Sequence, residues 1–299
     1  MMHGETRRLL RGLGFTGLWI VGLGVFTAYP VLASLYYSFC DYSILQRPVW
    51  IGLENFRQLA TDDVFWLSLR NTLFFAAFSV PLGTIVSLSL ALLLNQEVRG
   101  RAFFRALFYL PSIVPAVASS MLWLWIFNGQ HGVLNQALAP VFALWGGQPP
   151  AWLGDPAWAK PALVLMSLWG VGNSTIIYLA GLQDVPRELH ESAELDGAGP
   201  LRRLWHVTLP MISPVIYFNV VMGMIGAMQV FTQAFIMSGG PDGNPARSTL
   251  FYALYLYSTA FYDLRMGYAS AMAWVLFLFI AGLTWFANRI AAKRVHYAS

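Results

Sequence analysis

Six long apolar runs, near residues 13–39, 71–94, 106–128, 162–183, 211–238 and 267–288, contain no Asp, Glu, Lys or Arg. A helix needs about 20 such residues to cross a bilayer core at about 1.5 Å per residue. In lipid every backbone polar group must be satisfied within the protein, so a run of this kind crosses as a helix. The fold class that follows is all-α: a polytopic membrane protein with six transmembrane helices, forming a single domain over residues 1–299. Composition agrees, because only 11% of residues are charged where a soluble domain carries about 25%. The lone Cys40 excludes an internal disulfide framework and any multi-cysteine metal site. The first run follows Arg7, Arg8 and Arg11, as a signal peptide would. It is too long for that and lacks an A-x-A cleavage site, so it reads as a retained span.

The basic residues orient the spans. With the N-terminus inside, the inner segments carry Arg7, Arg8, Arg11, Arg99, Arg101, Arg105, Arg187, Arg202, Arg203, Arg289, Lys293 and Arg294, which is 12 of the 18. The longer outer segments hold Arg47, Arg57, Arg70, Lys160, Arg247 and Arg265. The positive-inside rule therefore places both termini and the 184–210 loop in the cytoplasm. The net charge of +4 follows from topology and forms no single patch, so it does not point to nucleic acid.

The outer segments have structure of their own. Residues 40–70 contain Gly52 to Phe56 and then a weakly amphipathic stretch to Leu69. Residues 129–161 are rich in Gly, Pro and Trp (Trp145, Trp152, Trp158) and suit a folded cap whose aromatics lie at the interface. The last segment turns at Gly239-Gly240-Pro241 and continues from Ser248 to Phe261 as a short surface helix. A contact surface for an external partner is the second reading of these aromatics.

The most polar stretch between spans is residues 187–210. Pro186 suits a first turn, Glu188, Glu191 and Glu194 recur every three residues near the positive end of a helix dipole, and Gly197 fits a stop. Pro200 restarts a helix whose Leu201, Leu204 and Trp205 share a face, and Pro210 leads into the next run. Glu191-Ser192-Ala193, three residues, Gly197, nine residues, then Val207-x-Leu209-Pro210 resembles the "EAA" loop of ABC importer membrane subunits. That pattern is Glu-Ala-Ala, Gly and Ile-x-Leu-Pro at the same spacing; Ser192 and Val207 are mild departures.

Further landmarks resemble the maltose-transporter type of carbohydrate and glycerol-phosphate permeases. They are Tyr29-Pro30, Ser38-Phe39, Gly52 to Phe56, Asn71-Thr72, Tyr109-Leu110-Pro111, Gly239-Gly240-Pro241 and Ser248-Thr249. The chain has no room for the extra N-terminal spans and large insert of the maltose subunit itself.

The resemblance implies a type I ABC importer transmembrane domain that pairs with a second homologous permease, two ATPase subunits and an extracytoplasmic solute-binding protein. The loop would then be the coupling helix seated in the ATPase. Leu189, Ala193 and Leu195 would offer apolar surface, with Ser192 between them. Glu191, Asp196, Arg202 and Arg203 would fix register, and Leu209 and Pro210 would return the chain to the membrane. Gly197 would make the reversal, where a side chain is strained at positive φ.

No catalytic constellation is visible. His3, His131, His190, His206 and His296 are scattered outside the spans, and there is no G-x-x-x-x-G-K-[ST] loop, so ATP and Mg belong to a partner and this chain needs no cofactor. A stand-alone ion-coupled transporter, the alternative, usually carries an ionisable residue within its spans; here none does.

Two faces carry the polar side chains that a path for a hydroxylated solute needs. On the fifth span Asn219, Gly223, Gly226, Gln229 and Gln233 fall on about a third of the helix circumference, with Thr232 adjacent. On the fourth, Ser167, Gly170, Ser174, Tyr178 and Gly181 do so, with Asn173 at the edge. Small residues and amides also serve helix packing. Packing is the reading for the glycines, and both readings stand for Asn219, Gln229 and Gln233.

Overall fold

A computed structural model describes residues 2–96, 99–144 and 146–291. Trp145, Lys293, Arg294 and His296 lie outside the described residues, as do the side chains of His3, Arg7, Arg8 and Arg11. In chain order the helices are α1 (Met2–Leu23), α2 (Tyr29–Tyr37), α3 (Glu54–Thr61), α4 (Asp63–Asn95), α5 (Arg101–Ile113), α6 (Ala116–Ile126), α7 (Val133–Ala143) and α8 (Pro156–Trp169). There follow α9 (Gly172–Gln183), α10 (Arg187–Leu195), α11 (Pro200–Arg203), α12 (Leu209–Met211), α13 (Ser213–Met228), α14 (Thr232–Met237), α15 (Tyr252–Phe261) and α16 (Met266–Ala291). A small ribbon pairs β1 (Cys40–Asp41) with β2 (Val49–Trp50), antiparallel, with Cys40 opposite Trp50.

Six crossings result, but among the described residues only Gly14–Tyr37, α4 and α16 are single apolar stretches of spanning length. The other three are bent pairs: α5 with α6 by 98°, α8 with α9 by 48°, and Pro200–Met211 with α13 by 68°. Each break has a local cause. Pro115 pushes Val114 out of the helical region, to φ −66° and ψ 128°. Gly170 ends α8, and Pro214 removes an N–H in the first turn of α13.

Two further irregularities share one origin. The backbone widens to a π-turn at Gly24–Ala28 and again at Leu204–Thr208, in each case just before a proline, Pro30 and Pro210. A proline ring clashes with the carbonyl four residues back, and a wider turn relieves that clash. Tyr29 N–H accordingly reaches Gly24 O, and Leu209 N–H reaches Leu204 O.

The chain divides into two compact units, one made of residues up to Asp62 with Leu256–Leu278, the other of Asp63–Tyr255 and the chain from Phe279 onward. In the first unit Asn55 Nδ2 donates to Ser38 O (3.0 Å) and Cys40 O (2.9 Å), which ties α3 to the foot of the ribbon. Tyr268 Oη donates to Asp62 Oδ2 (2.6 Å) and Trp274 Nε1 to Ser34 Oγ (3.2 Å).

In the second unit, Ala91, Leu94, Tyr178, Leu179, Leu182, Val185 and Ile212 form a buried cluster. Helix α4 begins at Asp63, two turns before the apolar run it contains. The outer segment also departs from expectation: α15 starts at Tyr252, not Ser248, and Phe251, Tyr252 and Leu254 are buried, so it is no surface helix. Alternating apolar and hydroxyl side chains hid that burial, because they suit a surface helix equally well.

Candidate translocation cavity and coupling loop

The three broken spans and α4 line a half-open cavity of about 650 Å³. Helix α4 contributes Phe75, Ser79, Val80, Gly83, Thr84 and Ser87, and the α5–α6 break contributes Pro111, Ser112, Val114, Ala116 and Ser119. From α8 and α9 come Leu163, Met166, Ser167, Trp169, Gly170, Val171, Ser174 and Tyr178. Asn219, Gly223, Gly226, Ala227, Gln229, Val230 and Gln233 complete the wall. No lining residue is ionisable in the physiological range, while hydroxyls and amides recur on every side.

Several hydroxyls donate to their own helix: Ser87 Oγ to Gly83 O (2.6 Å), Ser112 Oγ to Tyr109 O (2.7 Å) and Ser167 Oγ to Val164 O (2.6 Å). Asn219 Nδ2 does the same to Val215 O at 3.0 Å. Each serine hydroxyl so spends its one donor hydrogen and keeps its oxygen lone pairs as acceptors, while Asn219 Nδ2 keeps a second N–H. Two hydroxyls are buried without any hydrogen bond, Ser79 Oγ and Tyr178 Oη, although Thr84 is a polar neighbour of the latter. A buried unsatisfied hydroxyl costs about 1–3 kcal/mol. The breaks add main-chain groups that helix termini leave unpaired.

Of the residues singled out by the sequence, Ser174, Tyr178, Asn219, Gln229 and Gln233 meet at this cavity. Asn173 is exposed and Thr232 opens α14; neither lines it. Gly181 packs instead: a Cβ there would sit 2.9 Å from Val215 Cγ2. Gly172 packs more tightly, since a Cβ would lie 2.7 Å from Phe108 O. The sequence reading missed the α4 wall, for which Ser79, Gly83 and Ser87, spaced four apart, were the signal. Ser112 and Ser119 flank the α5–α6 break, which Pro111 and Pro115 announce.

A chain of rings leads outward from the wall. Trp169 meets Trp123 edge-on (6.2 Å between centroids), Trp123 meets Phe127 (4.8 Å), Phe127 meets Trp152 (5.7 Å), and Trp152 meets Trp158 (5.2 Å). Trp152 is fixed by its Nε1, which donates to Asn135 Oδ1 at 2.7 Å.

The loop at the other end is built as two helices. Helix α10 closes with Gly197 N–H donating to Glu194 O (2.9 Å) and Ala198 N–H to Ala193 O (2.8 Å), with Gly197 at φ +75°. That is the reversal glycine favours, because it has no Cβ to strain. Arg203 Nη1 then bridges back to Glu194 Oε2 at 2.6 Å, an exposed pair worth about 0–1 kcal/mol.

The polar residues Glu191, Ser192, Asp196 and Arg202 are exposed, and Ala193 is half-buried. The apolar exposure falls most on Leu195 (90%), Leu201 (69%) and Trp205 (63%), with Leu189 less open. Both stems are anchored: Val185 on one side and Ile212 on the other belong to the buried cluster, and Leu209 packs against it just before Pro210. The loop is therefore held up from a firm base with its apolar side chains facing out.

A model of the family described as "binding-protein-dependent transport system inner membrane component" matches residues 79–296. This chain belongs to that family. Relatives include the probable ABC transporter permease protein YesP of Bacillus subtilis (strain 168), 41% identical over 292 residues, covering 97% of this chain and 93% of that one. The lactose transport system permease protein LacF of Rhizobium radiobacter is 33% identical over 289 residues, 95% of each chain.

Among solved structures, a bacterial alginate ABC transporter in complex with alginate pentasaccharide-bound periplasmic protein superposes with a TM-score of 0.83. Its identity is 22%, over 97% of this chain and 96% of that one, so it speaks for the fold. The permease is thus a multi-pass inner-membrane subunit of the type I importer kind, and a stand-alone transporter is not favoured.

Proposed function

We propose that this permease forms half of the path for a carbohydrate or related polyol. In this reading it pairs with a second, homologous permease. Two ATPase subunits, which bind ATP and Mg, dock on the 187–210 loop, and an extracytoplasmic binding protein delivers the solute. Both termini then lie in the cytoplasm. The observation that carries the reading is the cavity wall, rich in hydroxyls and amides and free of ionised side chains. Hydroxylated solutes both donate and accept, and such a wall, with broken helix ends added, offers both partners without the cost of a buried charge. The relatives' names, lactose among them, support the same class.

ATP-driven closure of the ATPases would draw the coupling loops together and rock the two permeases about their cavities. In this chain Glu191, Asp196, Arg202 and Arg203 would set the register of docking and Leu195, Leu201 and Trp205 its apolar contact. The test is purification in mild detergent from cells that co-express the neighbouring genes. Stoichiometric recovery of an ATPase, lost on replacing Glu191 or Gly197, is the expected result. A lone chain that moves solute into liposomes under an ion gradient would overturn it.

A further inference from the structure

The ribbon after the first span carries more apolar surface than a water-exposed hairpin should. Leu45 is 80% exposed, and Ile44, Val49, Trp50 and Leu53 are each more than half open. These five lie within ten residues that hold one cation, Arg47, and no acid before Glu54. Two-residue strands cannot make a stable sheet alone. The foot of this one is held by rings: Trp50 stacks on Phe39 at 5.4 Å and meets Tyr36 at 5.8 Å, and Phe39 meets Phe56 at 5.4 Å. At the tip, Ile44 and Leu45 stay open among the described residues.

Position says what can cover it. The ribbon starts at Cys40, three residues after α2 ends at Tyr37, so its foot is at the membrane surface by continuity with the span. Ile44 and Leu45 lie four and five residues beyond Cys40, so at about 3.3 Å per residue they sit no more than about 17 Å from it, close enough for the tip to lie along the headgroup layer. Tyr and Trp concentrate at that layer, and an arginine there can bury its stem and hold its guanidinium at the phosphates. We propose that the 43–50 ribbon is a lipid-facing wedge, with Ile44 and Leu45 seated in the headgroup–acyl boundary and Arg47 directed to phosphate. That the leaflet is the outer one rests on the orientation proposed above.

The experiment uses spin labels on the assembled transporter in vesicles of phosphatidylethanolamine and phosphatidylglycerol. Labels go on Leu45→Cys and, as an aqueous reference, Asp242→Cys, an exposed loop position; native Cys40 is buried, and an unlabelled parent checks that it stays silent. Collision rates with oxygen, which partitions into lipid, and with a water-soluble nickel chelate are compared. The wedge requires the Leu45 label to favour oxygen over nickel several-fold relative to Asp242.

Nickel access equal to that at Asp242 overturns it. So does protection from both reagents that is lifted when the binding protein or partner permease is left out, which would make the tip a protein-docking surface. Reduction by membrane-impermeant ascorbate from one side reports the leaflet separately: a lipid-exposed label reached only from the ATPase side keeps the wedge and sinks the orientation.

Discussion

Lys160 Nζ donates to Asn71 Oδ1 at 3.0 Å, joining α8 to α4 across 89 positions of sequence. The same Asn71 donates through Nδ2 to Arg247 O (2.9 Å) and Leu250 O (3.1 Å). One buried carboxamide thus ties three segments together; Asn71 lies one helical turn from Phe75 on the cavity wall, and Lys160 one turn from Leu163.

Replacing Asn71 should therefore cost more than one hydrogen bond. Asn71→Ala leaves two carbonyls and an ammonium without their partner, and a loss of about 3 kcal/mol is expected. Lys160→Met removes only the ammonium, which also lies 5.0 Å from the Phe74 ring centroid, and should cost about 1 kcal/mol. Thermal unfolding of the purified chain in detergent orders the two; equal midpoints would refute the central role of the amide.

Gly181 and Val215 provide a reciprocal test. Gly181→Ala forces a methyl against the valine and should destabilise by about 1–3 kcal/mol. Adding Val215→Ala should recover part of that loss, because the clash is with a side chain that can be trimmed. Gly172→Ala meets the Phe108 carbonyl and no side-chain trimming should rescue it. Stability of the single and double variants, measured together, checks both statements.

At Gly267 the constraint is main chain against main chain. A Cβ there would fall well inside van der Waals contact of Cys40 O, which already accepts from Asn55 Nδ2. Gly267→Ala should displace the foot of the ribbon and cost about 2–3 kcal/mol. Wild-type stability with Cys40 still shielded from a thiol reagent would contradict this packing.

Gly197→Val puts a β-branched residue at φ +75°, a conformation that costs an ordinary residue about 1–2 kcal/mol. The loop's anchors, Val185, Leu209 and Ile212, are untouched, so insertion into the membrane should be normal. ATPase recovery on purification should fall several-fold. Full recovery would mean that the reversal at Gly197 does not shape the docking surface.

The spans were legible because the absence of charge over about 20 residues leaves a chain few alternatives in lipid. The breaks were written in the same runs, at Pro115, Gly170 and Pro214, yet hydropathy does not register them, since a proline or glycine in an apolar run leaves it apolar. The 187–195 helix and its stop at Gly197 followed from local rules, and local rules decide short exposed helices. The cavity was half legible. Polar residues on the fourth and fifth spans stood out against their neighbours, whereas Ser79, Thr84 and Ser87 join the wall only because α4 packs opposite them. Burial of Phe251 and Tyr252 depends on contacts with Phe65, Thr72 and Phe75, far away in sequence, which no window along the chain contains.

The chain of rings from Trp158 to Trp169 begins and ends on one helix, since both residues belong to α8. Trp123 in α6, Phe127 just after it and Trp152 ahead of α8 therefore splint that helix along its side. Rings in edge and tilted contact lose dispersion energy when they slide. The splint stops at Trp169, the last residue of α8, where Gly170 and Val171 break the span. Any bending of that crossing would thus fall at the break, in the cavity wall.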